Sequence, residues 1–346
     1  MIGAWNQFLR AQGAVYADGR LRDFGDPAVE RRLARDANVL VDLAHFALIR
    51  ASGPDRAVFL NGQLTNDISR VDAAHSQLSA WCSPKGRMLA LFRVVRQHES
   101  FLLQLPASLG EDVIKRLRIY VLRSKVLLEN AEDALARFGV AGPDAATLLR
   151  NGLGTIPDDT NGVSVSDGIL CTRLHGVQPR FEIFAPPDLA SRLWTELRSA
   201  ALPAGAAAWD WHDIMAGIPT VQPATSDAFV PQMANLDLVD GISFDKGCYT
   251  GQEIVARLHY RGRLKQRMYR ARVREAELPV PGDRIFAPDM PGQSTGTVVI
   301  AAASPDDGYD LLAVIHSDSV AAGELHLYKA DGPQLTIESL PYHVPT

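Results

Sequence analysis

Residues 246–253 read Lys246-Gly247-Cys248-Tyr249-Thr250-Gly251-Gln252-Glu253. Thr250 and Glu253 stand at capping-box spacing, in which a hydroxyl accepts from one first-turn N–H while the acid reaches back to another. That spacing predicts a helix beginning at Gly251, with Thr250 as its N-cap and Tyr249 and Ile254 as a hydrophobic staple. Ile254, Val255 and Leu258 form its apolar stripe. Such a cap contributes about 1 kcal/mol. Cys248 then lies two residues ahead of the N-cap and two from Lys246, where helix dipole and ammonium both favour thiolate. A thiolate so placed suits a nucleophile, a metal or cluster ligand, or a redox group. The alternative is a small buried hydrophobe in a capped turn. Gly247 lets the backbone approach another group closely.

Downstream the chain turns basic. Arg257, Arg261, Arg263, Lys265, Arg267, Arg270, Arg272 and Arg274 follow one another with no acid between them, and Tyr260 and Tyr269 are interleaved. Such a run can hold phosphates or a polycarboxylate; a solvated strand face plus a loop explains it equally. Beyond it lie short strand-like runs at 268–273, 284–286, 296–301, 311–315, 325–328 and 335–340, separated by Gly/Pro/Asp turns at the spacing of a small barrel.

Upstream, strands and helices alternate without regular βαβ spacing, which predicts an α+β fold with antiparallel sheets. Asp26-Pro27 starts a helix running to Arg35, and strands follow over 39–49. Residues 54–60 read as a short helix carrying Val58, Phe59 and Leu60 inward. Ser83-Pro84-Lys85-Gly86 is turn chemistry between the apolar runs 78–81 and 88–95, a hairpin. A strand at 101–105 and a helix over 111–122, with Val113, Leu117, Tyr120 and Val121 on one stripe, complete this part. The pattern partly recurs, with strands at 135–140, 162–174 and 181–184 and helices at 143–149 and 187–200. The expected domains are 1–130, 131–264 and 265–346.

The chain has 346 residues, 47% hydrophobic and 22% charged, with net charge −5. It is ordinary globular composition, long enough to fold without disulfides or a structural metal. The acidic balance argues against a dedicated nucleic-acid domain. Cys82, Cys171 and Cys248 are too scattered for a zinc ribbon or a disulfide framework, and Cys82 and Cys171, in strand-like runs, read as core. Residues 1–14 lack the order of a signal peptide, and no apolar run spans a bilayer, so a cytoplasmic protein away from membranes is expected. The sequence has no G-x-G-x-x-G, Gly-Lys, H-E-x-x-H or G-x-S-x-G, which demotes nucleotide hydrolysis, zinc proteolysis and serine hydrolysis. No histidine pair has metal-ligand spacing beside another ligand, and no metal site is expected.

The octapeptide resembles the K-G-C-Y-x-G-Q-E signature of YgfZ-type folate-binding proteins. Gly217-Ile218-Pro219, the run Phe229-Val230-Pro231-Gln232-Met233-Ala234-Asn235-Leu236, Leu64-Thr65-Asn66-Asp67, Ser83-Pro84-Lys85-Gly86-Arg87 and the tail Arg257–Arg263 resemble that family too. The resemblance covers roughly residues 55–265. The wider superfamily includes the aminomethyltransferase of glycine cleavage. It implies two related α+β folate-binding domains and a small C-terminal β-barrel, in a ring-like arrangement around tetrahydrofolate or a one-carbon derivative. It also implies a role in assembling or repairing iron–sulfur enzymes, including those that thiomethylate tRNA, dependent on folate and on Cys248. By the same resemblance, Glu182 in Phe181-Glu182-Ile183 pairs with the pterin ring, and Asn66, Arg257 and Arg261 contact folate.

Two departures stand out. The strand after the glycine hairpin, Met88-Leu89-Ala90-Leu91, lacks the superfamily's carboxylate, which counts against aminomethyl transfer. Residues 212–217 lack its arginine, and the arginines at 257–263 are candidate substitutes. Locally, Glu182 is either a buried acid with a bidentate partner or an outward-facing strand residue. The leading expectation is therefore a tetrahydrofolate-binding accessory factor for iron–sulfur client enzymes. The alternatives are a folate-dependent one-carbon transferase and an RNA-binding module using residues 257–274.

Overall fold

The computed structural model describes residues 3–262, 264–274 and 277–345. Arg263, part of the basic run and of the motif tail, lies outside the described residues. The chain forms two compact units, each assembled from separated segments. The first takes Met1–Arg56, Ser69–Gln77 and Arg93–His212, and the second takes Ala57–Ile68, Leu78–Phe92 and Asp213–Thr346. The architecture is α+β with antiparallel sheets.

The main sheet of the first unit has six strands in the order Val163–Ser166, Ile169–Leu174, Arg180–Ala185, Ala136–Ala141, Val39–Asp42 and Leu202–Ala204. Only the last pair is parallel. Strand alternation sends Phe138, Val140, Phe181 and Ile183 to one face. There the helices Ala4–Ala11, Ala145–Leu153 and Pro187–Leu197 bury Trp5, Leu149 and Trp194 against them. Trp194 meets Trp5 and Phe138 edge-on, at 5.5 and 5.4 Å between ring centroids, the geometry aromatic quadrupoles favour. The other face carries Glu182 and Arg180, with Trp209 of the helix Ala206–Ala216 beneath the Arg180 guanidinium at 4.4 Å. The helix Pro27–Asp36 starts where Asp26-Pro27 foretells, and the Asp26 carboxylate accepts from the Ala28 and Val29 N–H groups at 3.0 Å. A second antiparallel sheet centres on Phe46–Ser52, with the helix Ala107–Val121 packed on it. Leu109, Val113 and Leu117 are that helix's buried stripe; Tyr120, expected on it, is 45% exposed.

In the second unit the helix Arg56–Gln63 buries Phe59 and Leu60 but leaves Val58 78% exposed. Three consecutive helical residues span 200° of arc, so all three cannot face one core. The Ser83–Gly86 turn joins the strands Gln77–Cys82 and Met88–Gln97, as the sequence predicts. The C-terminal strands form a six-stranded antiparallel sheet in the order 326–327, 284–286, 294–303, 309–316, 266–273, 335–338. The sheet curls until its edges meet: the Leu327 N–H donates to the Pro333 carbonyl at 2.8 Å and the Leu335 N–H to the Leu325 carbonyl at 2.9 Å. Ala271, Ile285, Val298, Leu311, Ala313 and Leu327 fill it. A six-residue helix, Ser317–Ala322, stands between the strands Tyr309–His316 and His326–Leu327, where the sequence reads as a turn.

Candidate functional site

The motif helix runs Gln252–Arg261, and its N-cap is Gly251, not Thr250. Gly251 has φ +84°, and no side chain caps the helix. The predicted capping box is therefore absent, and Glu253 stands exposed in the first turn. The cause is tertiary. A Cβ on Gly251 would lie 2.5 Å from the Ser83 carbonyl oxygen and 2.8 Å from the Gly86 Cα. A Cβ on Gly86, itself at φ +70°, would lie 2.8 Å from the Ile254 Cβ and 3.2 Å from the Gly251 carbonyl oxygen. Two left-handed glycines thus let the hairpin turn and the helix entry touch backbone to backbone, a contact that excludes side chains.

The residues around the thiol are anchored. The Lys246 ammonium, half-buried, donates to the carbonyls of Asn61 and, at 2.7 Å, Leu64. Both lie at the C-terminal end of the helix Arg56–Gln63, where the dipole welcomes a cation. Burial pulls the Lys246 pKa down to about 8, against the attraction of Asp67 and Cys248. The same ammonium stands 4.8 Å from the centre of the Tyr249 ring. Tyr249 is buried, which pushes its phenol up. Between these two, Gly247 faces open space and Cys248 is exposed. The alternative of a small buried hydrophobe fails here, whereas Cys82 and Cys171 are buried as expected. Thr250 and Gln252 are half-buried.

The resemblance run 229–236 has a physical job. Gln232 Nε2 donates to the Val255 carbonyl of the motif helix at 2.7 Å, and Asn235 Nδ2 donates to the Met268 carbonyl at 2.7 Å. Arg267 forms a two-pronged pair with Asp237 at 2.7 and 3.0 Å and also donates to the Gln232 carbonyl at 2.8 Å. Much of the basic run is spent in this way. Arg270 reaches the Ser339 carbonyl and Arg272 the carbonyls of Asp306 and Asp307. Arg257, Arg261, Lys265 and Arg274 are exposed. Asn66 is buried, its amide donating to the Leu78 and Asp240 carbonyls at 3.0 and 2.6 Å.

Glu182, in the first unit, is 1% exposed, so the outward-facing alternative fails. It stands opposite Thr172 and Gly139 in the sheet. Its attraction works to keep buried Arg137 charged against the pull of burial. Thr172 and Ser76 share a hydrogen bond at 3.0 Å, and Arg93 donates to Asn161 Oδ1 at 3.0 Å. Burial and neighbouring arginines depress His175 to about 4 and His212 to about 3, so both are neutral at pH 7. Sequence reading missed Arg137 and Arg180. Their signal was available, since an arginine inside an apolar strand needs a countercharge. A buried carboxylate among guanidiniums can accept a pair of N–H groups from a flat heterocycle. Among the described residues, no group of three or more His, Cys, Asp or Glu is arranged to hold a metal ion. None of their helices is long and apolar enough to cross a membrane.

Residues 8–162 match the family model described as the GCVT N-terminal domain. The tRNA-modifying protein YgfZ of Klebsiella pneumoniae is 34% identical over 310 residues, which cover 89% of this chain and 94% of that protein. Its counterpart from Photorhabdus laumondii is 35% identical over 307 residues, 88% and 92% of the two chains. The crystal structure of the glycine cleavage system aminomethyltransferase T from Bartonella henselae superposes with a TM-score of 0.78 over 98% of this chain and 96% of that one. At 19% identity it shares the fold.

Proposed function

The chain belongs to the YgfZ family of tRNA-modifying proteins, and from that membership we propose that it is a tetrahydrofolate-binding accessory factor for iron–sulfur enzymes, acting through Cys248. Enzymes that thiomethylate tRNA are the proposed clients, in the cytoplasm. The observation that carries the reading is the presentation of the thiol: Cys248 is exposed while its neighbours Lys246 and Tyr249 are pinned. A fixed, accessible sulfur suits a step shared with another protein. One cysteine supplies too few ligands for a stable cluster, so any cluster contact is transient or shared.

Glu182 is the proposed pterin acceptor, since its two oxygens can take an aminopyrimidinone's N–H pair. Arg257 and Arg261 are the proposed cations for the folate glutamate tail. Asn66, with its amide spent on two carbonyls, is proposed to shape the loop beside Asp240. One-carbon transfer is the second reading, favoured by the shared fold alone. Against it stands the strand through Leu89, whose residues Met88 to Phe92 are all apolar and buried.

Calorimetric titration with tetrahydrofolate tests the first half. Binding by wild type and by Cys248→Ala, with loss in Glu182→Gln, is the expected result. Complementation of a deletion strain tests the second half: Cys248→Ala should fail although it binds folate. Full rescue by that variant would sink the thiol's role. Turnover of an aminomethyl carrier by the pure protein would favour transfer chemistry instead.

A further inference from the structure

The helix Ala107–Val121 ends in apolar side chains that the fold does not use. Leu109, Val113 and Leu117 are buried, whereas Ile119, two residues beyond Leu117 and so about 200° around the helix, is 70% exposed. Leu122, the C-cap residue, is 87% exposed, and Tyr120 between them is exposed too. Leu122 holds φ +48° and ψ −109°, a conformation that glycine supplies in tight turns. Neither burial nor backbone therefore calls for a leucine there.

Cations surround these groups. From Val113 to Leu128 the chain carries Lys115, Arg116, Arg118, Arg123 and Lys125 and no acid. Lys115 and Arg116 precede Ile119 by four and three residues, the spacing of neighbours on a helix surface. Arg118 is hydrogen-bonded to the Leu128 carbonyl at 2.6 Å, and Arg123 and Lys125 are exposed in the turn that follows Leu122. The acids are placed elsewhere. Glu111 and Asp112 pair with Lys115 and Arg116 at 2.7 and 3.4 Å, and Leu122 lies ten residues, about 15 Å of helical rise, beyond Asp112. Glu129 stands opposite Arg50 in the sheet. Asp55, which accepts from the Lys125 N–H at 2.7 Å, is the acid at the turn itself.

This composition selects among occupants. A second copy would bring the same cations face to face. Nucleic-acid phosphates use cations but have no use for leucine and isoleucine. Protein interfaces are depleted in lysine, and leucine is under-represented at their energetic centres. Leucine and isoleucine set among lysines and arginines suit a bilayer interface, where apolar groups enter the acyl boundary and cations meet anionic headgroups. Such contact lies on the surface and needs no spanning helix. We propose that the end of the helix Ala107–Val121 and the turn after it form a reversible contact for an anionic lipid bilayer. Ile119 and Leu122 are its inserted groups, and Arg123 and Lys125 face the headgroups. The proposal is independent of folate binding and of Cys248.

The test is flotation of the full chain with vesicles of equimolar phosphatidylglycerol and phosphatidylcholine, against vesicles of phosphatidylcholine alone. Binding to the anionic vesicles is expected, about tenfold or more tighter than to the neutral ones, and weakened by salt. Leu122→Gly separates lipid contact from folding. It relieves the turn, so the melting temperature should hold or rise, while affinity for anionic vesicles falls about tenfold. Ile119→Gln, on the solvent face of the helix, should weaken binding in the same way. Arg123→Glu with Lys125→Glu should remove the preference for anionic vesicles. Absence of binding to the anionic vesicles overturns the proposal, as does binding that Leu122→Gly and Ile119→Gln leave undiminished. A dimer in sedimentation that Leu122→Gly disperses would assign the patch to a second copy. Tighter binding of transfer RNA or polyglutamate than of vesicles would assign it to a nucleic acid or an acidic protein, and either result overturns the lipid contact.

Discussion

Gly251 and Thr250 sit side by side, and their substitutions should have opposite consequences. Gly251→Ala puts a Cβ on a left-handed backbone already in contact with the Ser83 carbonyl, and should cost about 2 kcal/mol or more in urea unfolding. Thr250→Ala, at a position that caps nothing, should cost less than about 0.5 kcal/mol. The reverse ranking would reinstate the capping box. The sequence pattern pointed the wrong way for a physical reason. Thr-x-x-Glu is a local signal, whereas the conformation of Gly251 answers to a turn some 165 positions away in the chain. The cation beside Cys248 was legible because Lys246 lies two residues away, whereas the sequence leaves the thiol's exposure open against a small buried hydrophobe. Arg180 was within reach of the sequence, two residues before Glu182 on one strand; Arg137 was not, because it comes from the paired strand Ala136–Ala141.

At the scale of elements, the motif helix and the strand Gln266–Val273 are tied to the segment 231–237 by Gln232, Asn235 and the Arg267–Asp237 pair. Both side chains of the pair are largely buried, at 11% and 14% exposure. Breaking it with Asp237→Ala strands a guanidinium, and should cost about 3 kcal/mol; Arg267→Met with Asp237→Leu should recover much of that. Chemical denaturation of the two single variants and the double variant measures both. Equal losses in the single and double variants would show that the ion pair itself stabilises. Boundaries that the chain punctuates locally, such as Asp26-Pro27 and Ser83–Gly86, could be read in advance. Stripes were less legible: Val58 and Tyr120 look apolar enough for a core, but the face a helix buries depends on what lies over it.

Across the whole molecule, pH is the variable with the clearest sign. His212 is buried and His45 and His175 are half-buried, and desolvation holds all three neutral, with pKa values below the ordinary 6.5. Below pH 6.5 the unfolded chain binds protons there that the folded chain refuses, so stability falls as pH drops from 6.5 toward 4. Asp42, raised to about 6 by burial, and Glu30, also raised, work in the opposite direction and offset part of the loss. Urea unfolding at pH 7 and pH 5 should show the net decline. His212→Leu should flatten it by up to about 1.4 kcal/mol per pH unit; a variant with the wild-type slope would mean that His212 takes up its proton in the fold. The thiols divide by place instead. Burial pushes Cys82 up to about 12 and raises Cys171 as well, while Cys248 stands open. The folded protein is therefore a single-address molecule: a maleimide dye at neutral pH should attach once, and three times after denaturation. That difference makes the native chain its own folding reporter, and lets a fluorophore or spin label be placed on the motif without engineering a cysteine anywhere.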